Sequence, residues 1–422
     1  MDSRILDQLE GVYAEELALV QGDLDQLEPA VETIVKSLGA GLLQRLVDRG
    51  PNGYWGSWIP CSCGGSMRFV GHRRRWIHTL LGWIKIQRAY YHCAACHRGR
   101  VPYDQASGLG AEQLSPALAQ VCCLLTVDDS FAESAKKIET LFGEKVSDTT
   151  IERLAHQVGS VSLRQQEQER QRFEFEREIP TAQARPRRLY VSVDGTTAHE
   201  HDGWHEAKIG CIYWEDKHFH RRVYYAGRFC NSETFGWYLW LAACRCGLRE
   251  AVEVVYLGDG ASWIRHEHDR HFRQAVFIVD WYHASEHLWD GAKVLFGEGT
   301  PLTDQWVQQR LSLLWAGQTR ALLEDLKAQR RGHRGRKREA LDDLIRYLST
   351  NEQQMRYDVF RAHDYDIGSG AVEGACKHVV AKRLKQSGMI WTRPGSSAVL
   401  ALRITWLNAE WNLFWDRKPM AA

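Results

Sequence analysis

The sequence predicts a mixed α/β (α+β) protein whose central element is a five-stranded mixed sheet with a long helical insertion. Five apolar, strand-like runs lie between residues 188 and 280, and helix-like segments separate the last three of them. Residues 285–365 then show helical periodicity without a convincing strand, and the helical pattern continues from Gly370. Hairpins followed by crossover helices are typical of mixed sheets.

The N-terminal region, residues 1–55, is predicted to be helical. The runs ILDQLEGVYAEELALV and VETIVKSLGAGLLQRLV carry apolar residues at spacings of three and four, and GPNGYWG then ends the pattern. We place the further boundaries where the composition changes. They give a zinc-ribbon-like module at 56–105, a helix-turn-helix-like domain at 110–160, a linker at 161–187, the first part of the catalytic core at 188–290, the helical insertion at 291–366 and the C-terminal helices of the core at 367–416.

Four cysteines in two close pairs predict a structural zinc site. Cys61 and Cys63 are separated from Cys93 and Cys96 by strand-like runs such as WIKIQRAYYH. Zinc binds about four nitrogen or sulfur ligands in a tetrahedron, and ligand pairs on tight turns supply that geometry. Four thiolates leave no open position on the metal, so we expect no catalysis there. Ordinary buried thiols are the alternative. A nearby histidine could also replace one cysteine: His72, His92 or His97.

Residues 131–159 resemble a helix-turn-helix motif. Its last helical segment begins at SDTTIERLAHQVG, where Ser147 or Asp148 can cap the helix. Thr149 and Arg153 then lie near the start of the predicted recognition helix, the part that contacts DNA in such motifs. A plain helical bundle is an equally good interpretation. The following residues, 161–187, are charged and contain prolines, which favours a solvated helix or linker.

Three acidic residues are candidates for a catalytic site. Asp194 ends the first predicted strand (SVDGTT), Asp259 ends the fourth (YLGDGA), and Glu373 lies in IGSGAVEGACK after the insertion. The first and fourth strands should be neighbours, and the small residues around Glu373 would let its helix approach the sheet. Carboxylate oxygens suit Mg²⁺, and two such ions can catalyse phosphodiester displacement. We therefore predict that these side chains hold two Mg²⁺ ions, or Mn²⁺ in their place.

Each acid also has a simpler explanation. Asp-Gly after a strand is a common turn, and Glu373 could form a surface ion pair with Lys377. Asp280, in FIVDWYHASEH, is an alternative second metal ligand because it also ends an apolar strand, and His283 follows it. We assign Asp280 and His283 to supporting or DNA-positioning roles, with turn and helix-capping chemistry as the alternative.

Two basic segments are predicted to contact DNA. The run RRGHRGRKR lies inside the helical insertion, and a second group of basic and aromatic residues follows Glu373. Such clusters suit phosphate contact, although a solvated loop is the alternative for the first one. Together with Thr149 and Arg153, the predicted DNA-binding residues are Arg330, Arg331, Arg334, Arg336, Lys337, Arg338, Lys382, Arg383, Lys385, Trp391 and Arg393.

The composition excludes some classes of protein. The formal net charge is +1, so a nucleic-acid surface must be a local patch. Charged residues interrupt the N-terminus and no segment reaches about 18 uninterrupted apolar residues, so neither a signal peptide nor a membrane span is expected. The 11 cysteines then favour metal binding or buried thiols over disulfides. We expect a cytoplasmic, nucleoid-associated protein.

Several motifs together resemble those of the ISKra-type bacterial insertion-sequence transposases of the DDE superfamily. They are CSCGG…RAYYHCAACHRGRVPYD, VSVDGTTAHEHDGWHEAKIGCIYWED, LGDGASWI, VDWYHASEHLW and IGSGAVEGACKHVVAKRLKQSGMIWTRPG, and they span about residues 56–410. The resemblance implies an RNase H-like core in which Asp194, Asp259 and Glu373 form the acidic triad. It also implies binding to terminal inverted repeats, cleavage of DNA ends and joining of the 3′-hydroxyls to target DNA.

Because two DNA ends must be joined together, we expect a homodimer or a larger synaptic complex. Two other functions share the same residues. A structure-specific nuclease would use the acids without joining strands, and a DNA-binding regulator would carry an inactive core. The N-terminal modules favour the transposase over the nuclease, and the presence of all three acids counts against the regulator.

Overall fold

The computed structural model describes residues 11–14 and 23–421. Most of the first predicted helical run, ILDQLEGVYAEELALV, lies outside the described residues. The chain divides into two compact units, residues 1–158 with 412–422 and residues 159–411. Both units contain helices and a sheet, so the mixed α+β class is confirmed. Within the described ranges, no helix has the length and apolar character needed to cross a membrane.

The first unit begins with a helix and a four-stranded antiparallel sheet. Their bounds are α1 Leu24–Arg49, β1 Trp58–Pro60, β2 Ser66–Thr79, β3 Gly82–Cys93 and β4 Gly99–Arg100. The strands lie side by side in chain order. The β2–β3 hairpin buries Ile77, Ile84 and Ile86 in a small core, which explains the strand-like alternation of this region.

Residues 110–160, predicted as a helix-turn-helix-like domain, are mainly helical. The helices that follow β4 are α2 Pro102–Ser107, α3 Pro116–Leu125, α4 Phe131–Phe142 and α5 Asp148–Glu176. Ser147 caps α5, since its Oγ accepts a hydrogen bond from the Thr150 amide at 3.2 Å. Helix α5 does not end near residue 160 but continues through much of the predicted linker. Ion pairs one turn apart, such as Arg170 with Glu167 and Glu174, support this extension.

The second unit holds a five-stranded mixed sheet. Its strands are β5 Arg188–Glu200, β6 Gly203–Glu215, β7 Arg221–Arg228, β8 Glu253–Gly258 and β9 Val276–Val279, in the order β7-β6-β5-β8-β9. The first three strands are antiparallel, whereas β5 pairs with β8, and β8 with β9, in parallel. The five predicted strands and the adjacency of the first and fourth are therefore confirmed.

The parallel part of the sheet aligns three aspartates. The last paired residues are Ser192 with Leu257 between β5 and β8, and Gly258 with Val279 between β8 and β9. Each strand has an aspartate one or two residues further on. When the registers are continued, Asp194, Asp259 and Asp280 stand at the same level on neighbouring strands, which lie about 4.8 Å apart. Asp194 does not end its strand as predicted, because β5 continues to Glu200. Parallel pairing with β8 ends at Ser192, beyond which β5 continues to pair with β6 and forms a bridge between Glu200 and Trp391 near its end.

Helices connect and follow these strands. Residues 281–366 form helices and no strand in the described chain, as predicted for the insertion. After the insertion, a π-helical turn at Cys376–Ala381 joins two short helices. The helices of this part are α6 Ser232–Arg245, α7 Ser262–His271, α8 Trp281–Phe296, α9 Pro301–Trp315, α10 Thr319–Arg330, α11 Arg336–Thr350, α12 Tyr357–Ala362, α13 Gly370–Ala375, α14 Lys382–Leu384, α15 Arg393–Leu407 and α16 Trp411–Asp416.

Candidate active site and metal centre

Asp194 and Asp259 lie close together just beyond the point where the parallel pairing of β5 with β8 ends. Burial raises the pKa of Asp194, and the negative charge of Asp259 raises it further, although the Gly195 amide donates a hydrogen bond to Asp194 Oδ1 at 2.7 Å. The Asp259 carboxylate accepts a hydrogen bond from the Ala261 amide, also at 2.7 Å. A buried carboxylate whose ionisation is opposed by a neighbouring carboxylate forms a site that a divalent cation would stabilise.

The helix that carries Glu373 packs on the same part of the sheet. Cys376 lies three residues after Glu373, so both side chains point from nearly the same helical face. The Cys376 thiol is 3.6 Å from Asp194 Oδ2. Three helical residues rise by about 4.5 Å, which places the backbone of Glu373 about one turn from the residue that contacts Asp194. Glu373 Oε1 accepts a hydrogen bond from Ser369 Oγ at 3.1 Å.

Asp280 is used as a structural anchor. Its side chain is fully buried. One carboxylate oxygen accepts a hydrogen bond from the His283 amide at 2.7 Å and so caps α8, while the other accepts from the Ser369 amide just before α13. Because both oxygens are occupied by backbone donors, Asp280 is less suited to binding a metal than Asp259. Through Ser369 it fixes the start of the helix that carries Glu373.

Side chains of the insertion support Asp259. The Tyr347 hydroxyl donates to the Asp259 carbonyl oxygen at 2.9 Å, and the His287 ring lies against Tyr347 with the ring centroids 3.7 Å apart. Burial raises the pKa of Tyr347, as do the charges of Asp259 and Asp280, and burial lowers the pKa of His287. His283 lies near Asp194 and lowers its pKa. Helices α8 and α11 therefore hold one side of the site.

The π-helical turn Cys376–Ala381 gives the helix after Glu373 an irregular face. Such turns free a backbone carbonyl group, and they are frequent at functional sites. Here the fully buried Arg403 donates to the carbonyl oxygen of His378, with its Nε at 3.0 Å. The turn is therefore a stable part of the fold that sets which residues face the sheet.

The basic residues after Glu373 separate into an exposed and a buried group. Lys382 and Lys385 are exposed, and Lys385 Nζ donates to Thr196 Oγ1 at 2.5 Å, two residues beyond Asp194 on β5. Arg383 is fully buried, and its guanidinium lies 4.9 Å from the ring centroid of Trp391, which is 6% exposed. In this structure, Arg383 and Trp391 belong to the core and not to a surface that DNA could contact.

The other predicted DNA-binding residues are on the surface. Thr149 and Arg153 are exposed at the start of α5, as predicted. Arg393 forms an ion pair with the buried Glu200 at 3.2 Å. Arg330 and Arg338 lie beside Asp342. Four further basic side chains are exposed around the turn between α10 and α11: Arg331, Arg334, Arg336 and Lys337.

The four predicted cysteines come together in the first unit. The sulfur atoms of Cys61, Cys63, Cys93 and Cys96 all lie within 4.8 Å of one another. Cys61 is 3.6 Å from Cys96 and Cys63 is 3.7 Å from Cys93, close to the roughly 3.8 Å that a tetrahedral zinc with Zn–S bonds of about 2.3 Å requires. Hydrogen bonds from the backbone and thiol of Cys63 lower the pKa of Cys61 to about 7. Among the described residues, no histidine belongs to this group.

A second cluster of acids and histidine was not anticipated from the sequence. Glu200, Asp202 and His205 lie within 4.8 Å of one another at the β5–β6 hairpin, and the density of such residues in HEHDGWHE is the signal that could have identified it. Glu200 is 1% exposed and accepts a hydrogen bond from Ser396 Oγ at 2.7 Å, besides its ion pair with Arg393. These partners explain the buried charge without a metal.

The two clusters of closely spaced ligand atoms do not include the predicted acidic triad. In the described ranges, the groups of three or more metal-ligating atoms within 4.8 Å are the cysteine and Glu200 clusters. Asp194, Asp259 and Glu373 do not form such a group. The sequence reasoning also missed Ser369, Cys376 and Tyr347, because no motif marks a hydrogen bond that spans distant parts of the chain.

A family model matches most of the chain. The family described as "Uncharacterised protein family (UPF0236)" matches residues 66–412. The match begins after Cys61 and Cys63 and includes the second unit through Trp411. No curated protein matches the chain.

Proposed function

The chain belongs to the uncharacterised protein family UPF0236, and we propose that it is a metal-dependent DDE transposase with an RNase H-like core. The observation that carries this proposal is the meeting of Asp194, Asp259 and the Glu373-bearing helix at one place on a mixed five-stranded sheet. The sheet and its helical insertion support the RNase H-like assignment that the sequence motifs imply.

The donor set of this site fits Mg²⁺ or Mn²⁺. All three candidate ligands are carboxylates, which are hard oxygen ligands. The pKa of Asp194 is raised by burial and by the negative charge of Asp259, and a bound cation would offset both effects. Two bound ions would activate the attacking oxygen and stabilise the leaving oxygen of a phosphodiester. Asp194 and Asp259 would hold them from adjacent strands, and Glu373 would complete the site from its helix.

Other residues of the chain would position the reactants. Asp280 and Ser369 fix the start of the helix that bears Glu373. Lys382 and Lys385 are exposed, and Lys385 contacts β5; both would attract the phosphates of a DNA strand. The exposed basic turn between α10 and α11 and the start of α5 would supply further contacts to terminal-repeat or target DNA.

We also assign a structural zinc ion to Cys61, Cys63, Cys93 and Cys96. The sulfur positions fit a closed tetrahedral site. Zinc here would hold the strands of the first unit together and take no part in the reaction.

A strand-transfer assay tests the proposed activity. The purified chain is incubated with Mg²⁺, a pre-cleaved DNA end taken from the inverted repeat that flanks its gene, and a plasmid target. We expect joined products on a gel. Asp194→Asn, Asp259→Asn and Glu373→Gln should each reduce joining by roughly 100-fold or more, because each removes a ligand of the metal ions that would stabilise the transition state. Asp290→Asn is the matched control, since that aspartate is 72% exposed in α8 and should leave joining unchanged.

The alternatives give different results. Cleavage that depends on the three acids, without joining of a pre-cleaved end, would identify a nuclease and contradict the transposase. Binding to the repeats without cleavage or joining in Mg²⁺ or Mn²⁺ would identify a regulator. Full activity of Asp194→Asn would show that Asp194 is not a catalytic residue.

A further inference from the structure

Helix α1 is long but poorly buried. It contains 26 residues, and none of its side chains is fully buried. Its inner face packs on the β2–β3 hairpin, where Leu43 and Val47 contact the small isoleucine core. On the same side, Gln44 forms hydrogen bonds of 2.7 and 2.8 Å with the backbone of Lys85. Helices in proteins gain most of their stability from tertiary packing, and these contacts support the inner face of α1.

A second face of α1 carries an exposed stripe of apolar side chains. Its members follow one another at spacings of three, four or seven residues, which places them within an arc of roughly 100°. Their exposed fractions range from 38% to 72%. Single exposed apolar residues are common, whereas an aligned patch marks an interaction site. The apolar stripe consists of Leu24, Leu27, Val31, Val35, Leu42 and Leu46.

We propose that the apolar stripe is the interface between two copies of this chain, whose α1 helices pair in antiparallel orientation. Apolar residues that recur at three and four positions form the seam of paired helices. A helix of 26 residues is about 39 Å long. Two such stripes facing each other would bury on the order of 1,000 Å², which reaches the lower limit of a specific interface.

The positions along α1 favour the antiparallel orientation. The midpoint of the helix lies between Lys36 and Ser37. Residues equidistant from this point would face each other in an antiparallel pair. Leu27 would then meet Leu46 of the second copy, and Val31 would meet Leu42. The stripe is therefore complementary to itself under the two-fold symmetry that dimers use.

The charges of α1 favour the same orientation. Its N-terminal half carries Asp25, Glu28 and Glu32 against one lysine, a net charge of −2, and its C-terminal half carries Arg45 and Arg49 against one aspartate, a net charge of +1. An antiparallel pair would place the acidic half of one helix beside the basic end of the other. A parallel pair would place the acidic halves side by side, which is unfavourable.

Light scattering and sedimentation of the full chain test the interface. We expect the wild type to be a dimer at tens of micromolar and the double variant Val31→Glu with Leu42→Glu to be a monomer with unchanged circular dichroism. Val252→Glu is the matched control, because that valine is 80% exposed in the second unit; it should remain dimeric. A monomeric wild type would overturn the proposal. This holds both if the N-terminal residues of the same chain cover the stripe and if the stripe is left uncovered. A dimeric double variant would overturn it as well.

Cysteine cross-linking tests the orientation. In an antiparallel pair, the two copies of residue 35 lie about 4.5 Å apart along the helix axis, but those of residue 46 lie about 28 Å apart. Mild oxidation should therefore cross-link Val35→Cys beyond the wild-type background and leave Leu46→Cys uncross-linked. Equal cross-linking of both variants would overturn the antiparallel arrangement. These readouts do not require DNA, so they succeed or fail independently of the proposed transposase activity.

Discussion

A buried glutamate and histidine in helix α7 predict a pH dependence that becomes visible only when one of them is replaced. Glu267 and His271 are 0% and 2% exposed, and their side chains approach to 3.4 Å. Burial raises the pKa of Glu267 from 4.5 to about 7 and lowers the pKa of His271 from 6.5 to about 4. Helix α6 closes over them, since a Cβ on Gly236 would lie 1.7 Å from Glu267 Oε2. The charged and titratable groups that also act on the pair are Arg270, Glu233, Lys208 and His266.

In the wild-type protein the two effects should cancel. Between about pH 4.5 and 6.5 the folded pair holds one proton, on Glu267, while His271 is neutral. In the unfolded chain at the same pH, the pair also holds one proton, on His271. Because folded and unfolded states bind equal numbers of protons, the pair adds no slope to the stability in this window.

Replacing Glu267 by Gln should reveal the pH dependence of stability that His271 contributes. The unfolded chain then binds a proton on His271 below pH 6.5, whereas the folded protein binds it only below about pH 4. The folded state is therefore favoured above pH 6.5 and loses stability as the pH falls towards 4. The difference of about 2.5 pKa units corresponds to about 3 kcal/mol.

Replacing His271 by Gln should produce the opposite slope. The folded protein then retains the Glu267 proton up to about pH 7, whereas the unfolded chain loses it near pH 4.5. The contribution is fully present below pH 4.5 and is lost as the pH rises to 7, again by about 3 kcal/mol.

Urea unfolding monitored at intervals from pH 4.5 to 7.5 would measure both slopes. Each variant is compared with the wild type, so that the titration of all other groups cancels. The double variant Glu267→Gln with His271→Gln is the control and should show no slope relative to the wild type. Single variants with slopes of the same sign, or with no slope beyond about 1 kcal/mol across the range, would refute the reasoning.

Three further predictions concern the metal centre, the anchor and the DNA-binding surface. Cys63→Ser should lower the zinc content from one ion per chain and reduce the thermal stability of the first unit, as measured by elemental analysis and calorimetry; an unchanged metal content would contradict the site. Asp280→Asn should destabilise the fold by about 1–3 kcal/mol in denaturant unfolding, because an amide cannot accept from both the His283 and Ser369 amides; no loss would show that Asp280 is not an anchor. The Lys382→Ala and Lys385→Ala double variant should reduce the slope of log K against log salt by about 0.9 per residue in DNA binding, and an unchanged slope would exclude phosphate contacts at these positions.

The strands and the positions of their aspartates could be predicted because the signals are local. An apolar run that ends in Asp-Gly marks the end of β8 at Asp259, whereas at Asp194 the same signal marks the end of the parallel pairing and not of the strand. Crossover helices require the later strands to be parallel, which makes the first and fourth strands neighbours. The four cysteines could be predicted for the same reason, since their paired spacing is visible in the sequence.

The roles of other residues could not be predicted, because they depend on distant contacts. Asp259 and Asp280 have the same local signal, and only the hydrogen bond from the Ser369 amide separates the anchor from the candidate ligand. Arg383 was predicted to contact DNA on the assumption of a regular helix. The π-helical turn shifts the helical phase before that residue, so Arg383 faces the core beside Trp391.

The contacts at residues 280–282 and 367–369 explain how a long insertion can interrupt the core without disturbing the candidate site. The Trp281 amide donates to the Ile367 carbonyl oxygen at 2.9 Å, and the Ser369 amide donates to Asp280. Gly368 passes so close to Tyr282 that a Cβ there would lie 2.9 Å from its ring. The chain therefore leaves and re-enters the core at one closed point, and the cost of a longer loop grows only slowly with its length. The position of Glu373 relative to β9 is fixed by this junction, whereas the distant basic turn between α10 and α11 can change without moving the acid.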